Sequence, residues 1–384
     1  KLIGQYASDS LKRVIADPST YRYQLIYTRI DRDKNNKPHF TDYSYRLNKN
    51  EYFNPASMVK MPVAFLALEK LHSIKGVDKY TSMITDSSYT RQSVVLSDTS
   101  SADGMPSVAQ YIRKIFLVSD NDAYNRLYEF NGQEFMNKRL HQMGYKDFRI
   151  TRRFVTMNED ENRHTNQVRF LKDDSIIYVQ PPAYNTRSFD FSRQIFIGNK
   201  YYNREEKLID SPMNFTTHNN APLQDLQMIF RSVLFPESVK KKQRFGLTAD
   251  DYQFLYRYMC MLPSQSDHPR YDTSEFFDSY TKFFMFKSGK TKIPEYIKVF
   301  NKTGWSYGFL TDVSYIIDLR NNIEFMVSGV IYVNSDGVLN DDKYEYEQTG
   351  YPFFKEIGNI IYQYELKRER KFRPDLSRFE NATR

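Results

Sequence analysis

Apolar and polar residues alternate over YRYQLIYTRID and again around HFTDYSYRLN, on either side of the turn-rich DRDKNNKP, which predicts a β-hairpin near the N-terminus. Ahead of it, residues 4–16 have the spacing of a short amphipathic helix that stops before Pro18. After it comes NPASMVKMPVAFLALEKL (54–71), apolar over most of its length. It reads as a buried helix with Asn54 as N-cap and Pro55 at the first helical position. Pro62 removes an interior backbone hydrogen bond, so a kink is expected there. Helical spacing returns over 106–145; between 150 and 220 it breaks into short strand-like runs such as SIIYVQ and RQIFIGNKYY, separated by polar turns. APLQDLQMIFRSVLF and TADDYQFLYRYMCMLP are helical again. YIKVFNKTGWSYGFLTDVSYIIDL and NNIEFMVSGVIYVN read as strands, and 347–366 as a closing helix.

Strands, many helices, strands, helix: this order predicts an α+β protein. Its sheet is built from both chain ends and flanked by helices, with a mainly helical lobe between them. The expected organisation is one domain over 1–384, with a sheet lobe at about 1–55 and 290–384, a helical lobe at about 56–289, and an insertion at about 167–215.

Composition narrows the function. Only 14 glycines, with no G-x-G-x-x-G and no Walker A sequence, speak against a nucleotide fold. The formal charge of +8 is spread along the chain, densest at KKKQR (240–244) and KRERKFR (367–373). No nucleic-acid motif accompanies these runs, so no nucleic-acid partner is expected. The lone Cys260 excludes an internal disulfide and a cysteine zinc cluster. His39, His72, His141, His164, His218 and His268 lack metal-ligand spacing, and G-x-S-x-G is absent, so neither a metal nor a Ser-His-Asp triad is expected. No apolar run is long enough to span a membrane. The chain opens KLIGQYASDS without a Met, as a mature or trimmed form is expected to.

Three polar groups interrupt apolar text. Ser57 and Lys60 share one helix face, so hydroxyl and amine can meet. A serine becomes a nucleophile when a base takes its proton, and a lysine serves if burial or another cation lowers its pKa. The helix start supplies N–H donors suited to an oxyanion. S-x-x-K recurs at Ser238/Lys241 and Ser279/Lys282, but only Ser57 opens an apolar helix. Ser119-Asp120-Asn121 can relay a proton and hold a substrate amide, or can simply cap a turn between helices. In Lys302-Thr303-Gly304, the cation can lower a neighbouring lysine's pKa and attract an anion, the hydroxyl can bind a carboxylate, and Gly304 admits a close approach. An ordinary turn is the alternative. The rival Lys287-Ser288-Gly289 opens polar, turn-like text, whereas Lys302 lies in strand text.

S-x-x-K, S-D-N and K-T-G in this order resemble the serine β-lactamase and penicillin-binding protein superfamily, the class A branch most closely. The likeness runs from about residue 20 to 366, the long middle segment excepted. It implies the β-lactamase/transpeptidase-like fold and acyl transfer to Ser57 without a cofactor. Lys60 would be the base or proton relay, Ser119 would pass the proton to the leaving nitrogen, and Asn121 would hold the side-chain amide. Lys302 and Thr303 would bind the carboxylate of a β-lactam or D-Ala-D-Ala-like substrate beside Gly304. Backbone N–H groups of Ser57 and Trp305 would form the oxyanion hole.

One departure bears on turnover. That branch hydrolyses its acyl-enzyme with a glutamate in an E-x-x-L-N-like context, and ITRRFVTMNEDENRH has none. Glu159 and Glu161 are the candidate replacements, unless both are solvated loop carboxylates. The expected function is a β-lactamase-like hydrolase. The alternatives are a penicillin-binding D,D-peptidase or other serine amide or ester hydrolase with slow deacylation, and a non-catalytic scaffold or binding protein. The resemblance also implies export to the bacterial periplasm.

Overall fold

The computed structural model describes residues 2–382. Its centre is a five-stranded antiparallel sheet in the order Ile297–Ser306, Phe309–Asp318, Ile323–Tyr332, Gln24–Arg32, Pro38–Tyr45. Both chain ends contribute, as the element order predicts. Phe309–Asp318 and Ile323–Tyr332 are buried at every position, because each face of the sheet carries its own apolar layer. Leu25, Ile316, Phe325 and Val327 turn to the face covered by the closing helix Tyr351–Lys367, where Phe354, Ile357 and Ile361 meet them. Ile26, Tyr315, Met326 and Val330 turn to the helical side, into a cluster with Phe65, Phe230 and Val233. Alternation of side chains along a strand puts neighbours on opposite faces, so two covered faces leave strands that are mostly apolar and buried at every position.

Two local expectations are corrected. The first helix divides into Leu2–Tyr6 and Asp9–Ala16, because Ser8 takes the N-cap and its Oγ accepts from Leu11 N at 3.2 Å. The helix near Asn54 begins instead with a tight 3₁₀ turn, Ala56–Val59, and becomes α-helical at Lys60–Leu71. Pro62 therefore lies in the first α-helical turn, where its missing N–H costs little, and the reason for a kink disappears. Asn54 Oδ1 accepts from Ala56 N at 2.8 Å, closing the approach to that turn.

The middle segment forms small sheets. Ser82–Thr85, which the sequence pattern did not mark, pairs with Val168–Lys172, which pairs with Ser175–Gln180. Further on, Lys200–Tyr202 pairs with Leu208–Ile209 and runs parallel to Val338–Leu339, so this hairpin docks beside the end of the main sheet. Among the described residues no helix is long and apolar enough to cross a membrane.

Candidate active site

The nucleophile candidate stands at a junction between lobes. Lys60–Leu71 is buried almost throughout, while Ser57 in the preceding turn is only partly covered. Ala56 holds φ at +43°, a left-handed conformation unusual for a residue with a side chain, immediately before Ser57. The edge strand Ile297–Ser306 lies against this turn at Gly304. A Cβ there would sit 2.6 Å from Pro55 O and 3.0 Å from both Ser57 N and Met58 N. No larger residue permits that approach, and it sets the Gly304–Trp305 backbone alongside Ser57. The strand then reverses through Tyr307 and Gly308, at φ +52° and +80°, the two-residue turn whose twist suits a hairpin.

Ser119-Asp120-Asn121 is the joint between helices Val108–Val118 and Asn121–Asn131. Ser119 ends the first in a left-handed conformation, and Asp120 caps the second by accepting from Ala123 N at 2.7 Å. The turn-forming and site-forming readings hold together, since the same turn aims its polar groups at Lys60. Lys60 Nζ donates to Ser119 O at 2.5 Å and Asn121 Oδ1 at 2.6 Å, and lies 3.5 Å from Ser119 Oγ. From the sheet side, Lys302 Nζ donates to Ser119 Oγ at 2.8 Å and Thr303 O at 2.6 Å. One hydroxyl thus sits between two buried lysines.

Burial sets their charge. It pushes Lys60 down to about 7, against the opposing pull of Asp120. Lys302 is held well below its ordinary value by burial and by the charges of Lys60 and Lys282, with Asp312 opposing. Thr303 is fully buried and its Oγ1 has no hydrogen-bond partner. Among the described residues the Ser57 hydroxyl has no side-chain partner either.

Neither Glu159 nor Glu161 makes a hydrogen bond or ion pair with Ser57, Lys60, Ser119 or Lys302. Glu159 is exposed, and Glu161 caps its own short helix by accepting from Asn158 N at 2.7 Å, with Arg91 Nε 3.5 Å away. The face of Lys60 toward this loop is covered by the Phe154 ring, whose centroid is 4.9 Å from Nζ. Phe154 is placed by its backbone N–H, which donates to Asn125 Oδ1 at 2.8 Å. Beneath it Arg153 is fully buried, donating to Glu129 Oε1 at 3.0 Å and His164 O at 2.6 Å. Sequence reasoning missed Phe154, Asn125 and Arg153, and no residue-type signal marks them. It also missed the support behind Lys302, where Asp312 accepts from Asn301 Nδ2 at 3.0 Å and Asn301 Oδ1 accepts from Lys282 Nζ at 2.8 Å. A lone acid inside the apolar strand GFLTDVSYII was a signal for that network. The rival Lys287 lies away from this junction, its Nζ within 4.5–4.9 Å of the ring centroids of Phe277, Tyr280 and Tyr351. No group of three or more His, Cys, Asp or Glu that could hold a metal occurs among the described residues.

Residues 8–172 match the beta-lactamase enzyme family, a stretch that includes Ser57, Lys60, Ser119 and Asn121 and stops before Lys302. In three dimensions the likeness extends further. A β-lactamase from Xanthomonas campestris pv. campestris superposes with a TM-score of 0.51 at 14% identity, over 92% of this chain and 96% of that one. The chain has the serine β-lactamase fold. The protein L2, solved in complex with relebactam, also aligns at TM-score 0.51 and 12% identity, over 92% of this chain and 98% of its own. No curated protein matches the chain in sequence. At these identities the β-lactamase fold is shared, and the chemistry must be argued from the site's own residues.

Proposed function

We propose that the protein is a serine hydrolase of β-lactamase type that forms an acyl-enzyme on Ser57 from cyclic amides or D-Ala-D-Ala-like amides. The observation that carries this reading is the Lys60–Ser119–Lys302 bridge beside a reachable Ser57. With Lys60 pushed to about 7, an appreciable fraction is neutral at physiological pH and can take the Ser57 proton as Oγ attacks the carbonyl. Ser119 Oγ then carries a proton to the leaving nitrogen and is resupplied from Lys60. On this reading Asn121 is assigned to the substrate amide, and Lys302 and Thr303 to the carboxylate. The backbone N–H groups of Ser57 and Trp305 are assigned to the developing oxyanion. The class A likeness and the exported, periplasmic address belong to the same reading, on the three motifs alone.

A second reading has a specific observation in its favour. Phe154 covers Lys60, while the Glu161 carboxylate caps its own helix and Glu159 is exposed. A water for hydrolysis then has Lys60 as its nearest base, and the acyl-enzyme is long-lived, as in a penicillin-binding peptidase. Following intact mass and colour together with a chromogenic cephalosporin separates the two. A transient mass gain with continuing colour is turnover. A persistent gain with one burst of colour is slow release. Absence of both would remove β-lactams as substrates.

A further inference from the structure

The wall beside the candidate active site carries more positive charge than the fold pairs. Arg149, Arg152, Arg193 and Arg204 have no carboxylate within ion-pair distance among the described residues, although many of the chain's other arginines are paired. Arg149 is structural: it donates to the carbonyls of Asp190 and Thr216, each at 2.7 Å, beneath the Phe191 ring. Arg152 is different. Its guanidinium makes one side-chain contact, 2.7 Å from His218 Nε2. An arginine can only donate, so Nε2 is the acceptor and His218 is neutral with its proton on Nδ1. Burial and the two arginines hold His218 down at about 3, which keeps it in that form. The remaining Arg152 donors have no protein acceptor, and Arg152 is only partly buried.

Position gives these donors meaning. Arg152 lies two residues before Phe154, which covers Lys60. Phe154 is tied to Asn125, one helical turn along the same face from Asn121, so the segment runs past the amide-holding position. On the other side, His218 packs on Phe215, which packs on Tyr307 at the hairpin turn three residues beyond Gly304. Arg204 sits in the turn of the inserted hairpin; burial raises the Tyr307 phenol, and the charges of Arg152 and Arg204 oppose that rise. The acids in the neighbourhood are Glu159 toward Arg152, Asp342 toward Tyr307, Asp190 toward Arg149, and Glu205 and Glu206 beside Arg204 in its turn, none in ion-pair contact with these arginines.

We propose that Arg152, assisted by Arg204, binds a carboxylate on the acyl portion of the substrate, opposite the carboxylate assigned to Lys302 and Thr303. The acyl-side assignment rests on the acyl-transfer reading; the anion subsite itself does not. The favoured acyl donor is therefore anionic at both ends, and the hairpin that carries Arg204 belongs to the segment at about 167–215.

The test uses two chromogenic cephalosporins identical except for a terminal carboxylate or carboxamide on the acyl side chain. The expected ratio of second-order acylation rates in the wild type favours the carboxylate by about tenfold, the effect of a charged hydrogen bond. Arg152→Gln abolishes the preference, Arg152→Lys restores part of it, Arg204→Gln reduces it, and added salt compresses it. Equal rates in the wild type, or an unchanged ratio in Arg152→Gln, would overturn the proposal. Glutarate binding measured by calorimetry on the same proteins separates the two levels. If neither cephalosporin is transferred, the acyl-transfer reading fails on its own. Glutarate bound by the wild type and lost in Arg152→Gln still supports the subsite, and equal or absent binding overturns it.

Discussion

The chain contains two buried lysines one turn beyond a serine, and they differ in what surrounds them. Lys60 follows Ser57 and Lys282 follows Ser279; both amines are fully buried, and burial pushes them to about 7 and about 8. Lys282 Nζ is satisfied by Met259 O at 2.9 Å, Val299 O at 3.0 Å and Asn301 Oδ1 at 2.8 Å. Ser279 beside it is completely buried, its hydroxyl unpartnered. Lys60 instead shares Ser119 with a second cation, and its serine is reachable from outside. A depressed lysine pKa therefore marks burial. Chemistry needs an accessible hydroxyl and an exchangeable proton path as well.

The comparison breaks most sharply at the serines. Ser57→Ala is expected to eliminate covalent labelling by a penicillin, whereas Ser279→Ala labels fully; intact mass spectrometry reads both. Labelling that survives Ser57→Ala would sink the assignment. Next in size, Lys60→Met is expected to slow acylation by about 10³-fold, within the range for a removed general base. Lys282→Met retains labelling, and its failure to label would make the two lysines functionally equivalent.

Protons sharpen the contrast. Neutral Lys60 is the base, so the acylation rate should climb between pH 5 and 8 with a midpoint at about 7. The stability sign is separate. Folding lowers both lysines from 10.5, so between about 7 and 10.5 the unfolded chain binds more protons and stability rises with pH. Denaturant melts should show that slope diminished in either lysine variant, while the kinetic midpoint is lost only with Lys60.

A smaller effect is expected from Gly304→Ala, which drives a Cβ into Pro55 O and shifts the strand from the Ser57 turn. Displacements of this kind cost up to about 10²-fold in rate, and single-turnover acylation would measure it. Smallest of all, Ser279→Ala should leave stability unchanged or raise it by about 1 kcal/mol, since it removes a buried hydroxyl that bonds to nothing. A clear loss in thermal melts would mean that this hydroxyl has a partner.

Much of this was legible in sequence, for physical reasons. The sheet showed itself because strands covered on both faces leave long apolar runs, as in Phe309–Asp318. Ser57, Ser119 and Lys302 showed themselves as polar residues interrupting such runs, though recurring S-x-x-K and K-x-G patterns needed context to sort. Phe154 and Arg152 did not, because their roles come from a loop without periodicity that Arg153 and Asn125 fix by long-range contacts. Ser82–Thr85 escaped for a similar reason, being four residues long with a partner far along the chain. The 3₁₀ start before Lys60 was hidden too, since tight and regular helical turns share residue preferences.

Trp305 follows Gly304 directly and is the chain's single tryptophan, packed edge-on to Tyr280 at 5.8 Å and beside Phe283 at 5.9 Å. Excitation absorbed by the 31 tyrosines can pass by resonance transfer to that one indole. The emission of the whole protein therefore reports from beside its reactive turn, and a ligand entering the cleft can be timed by fluorescence without attaching a dye.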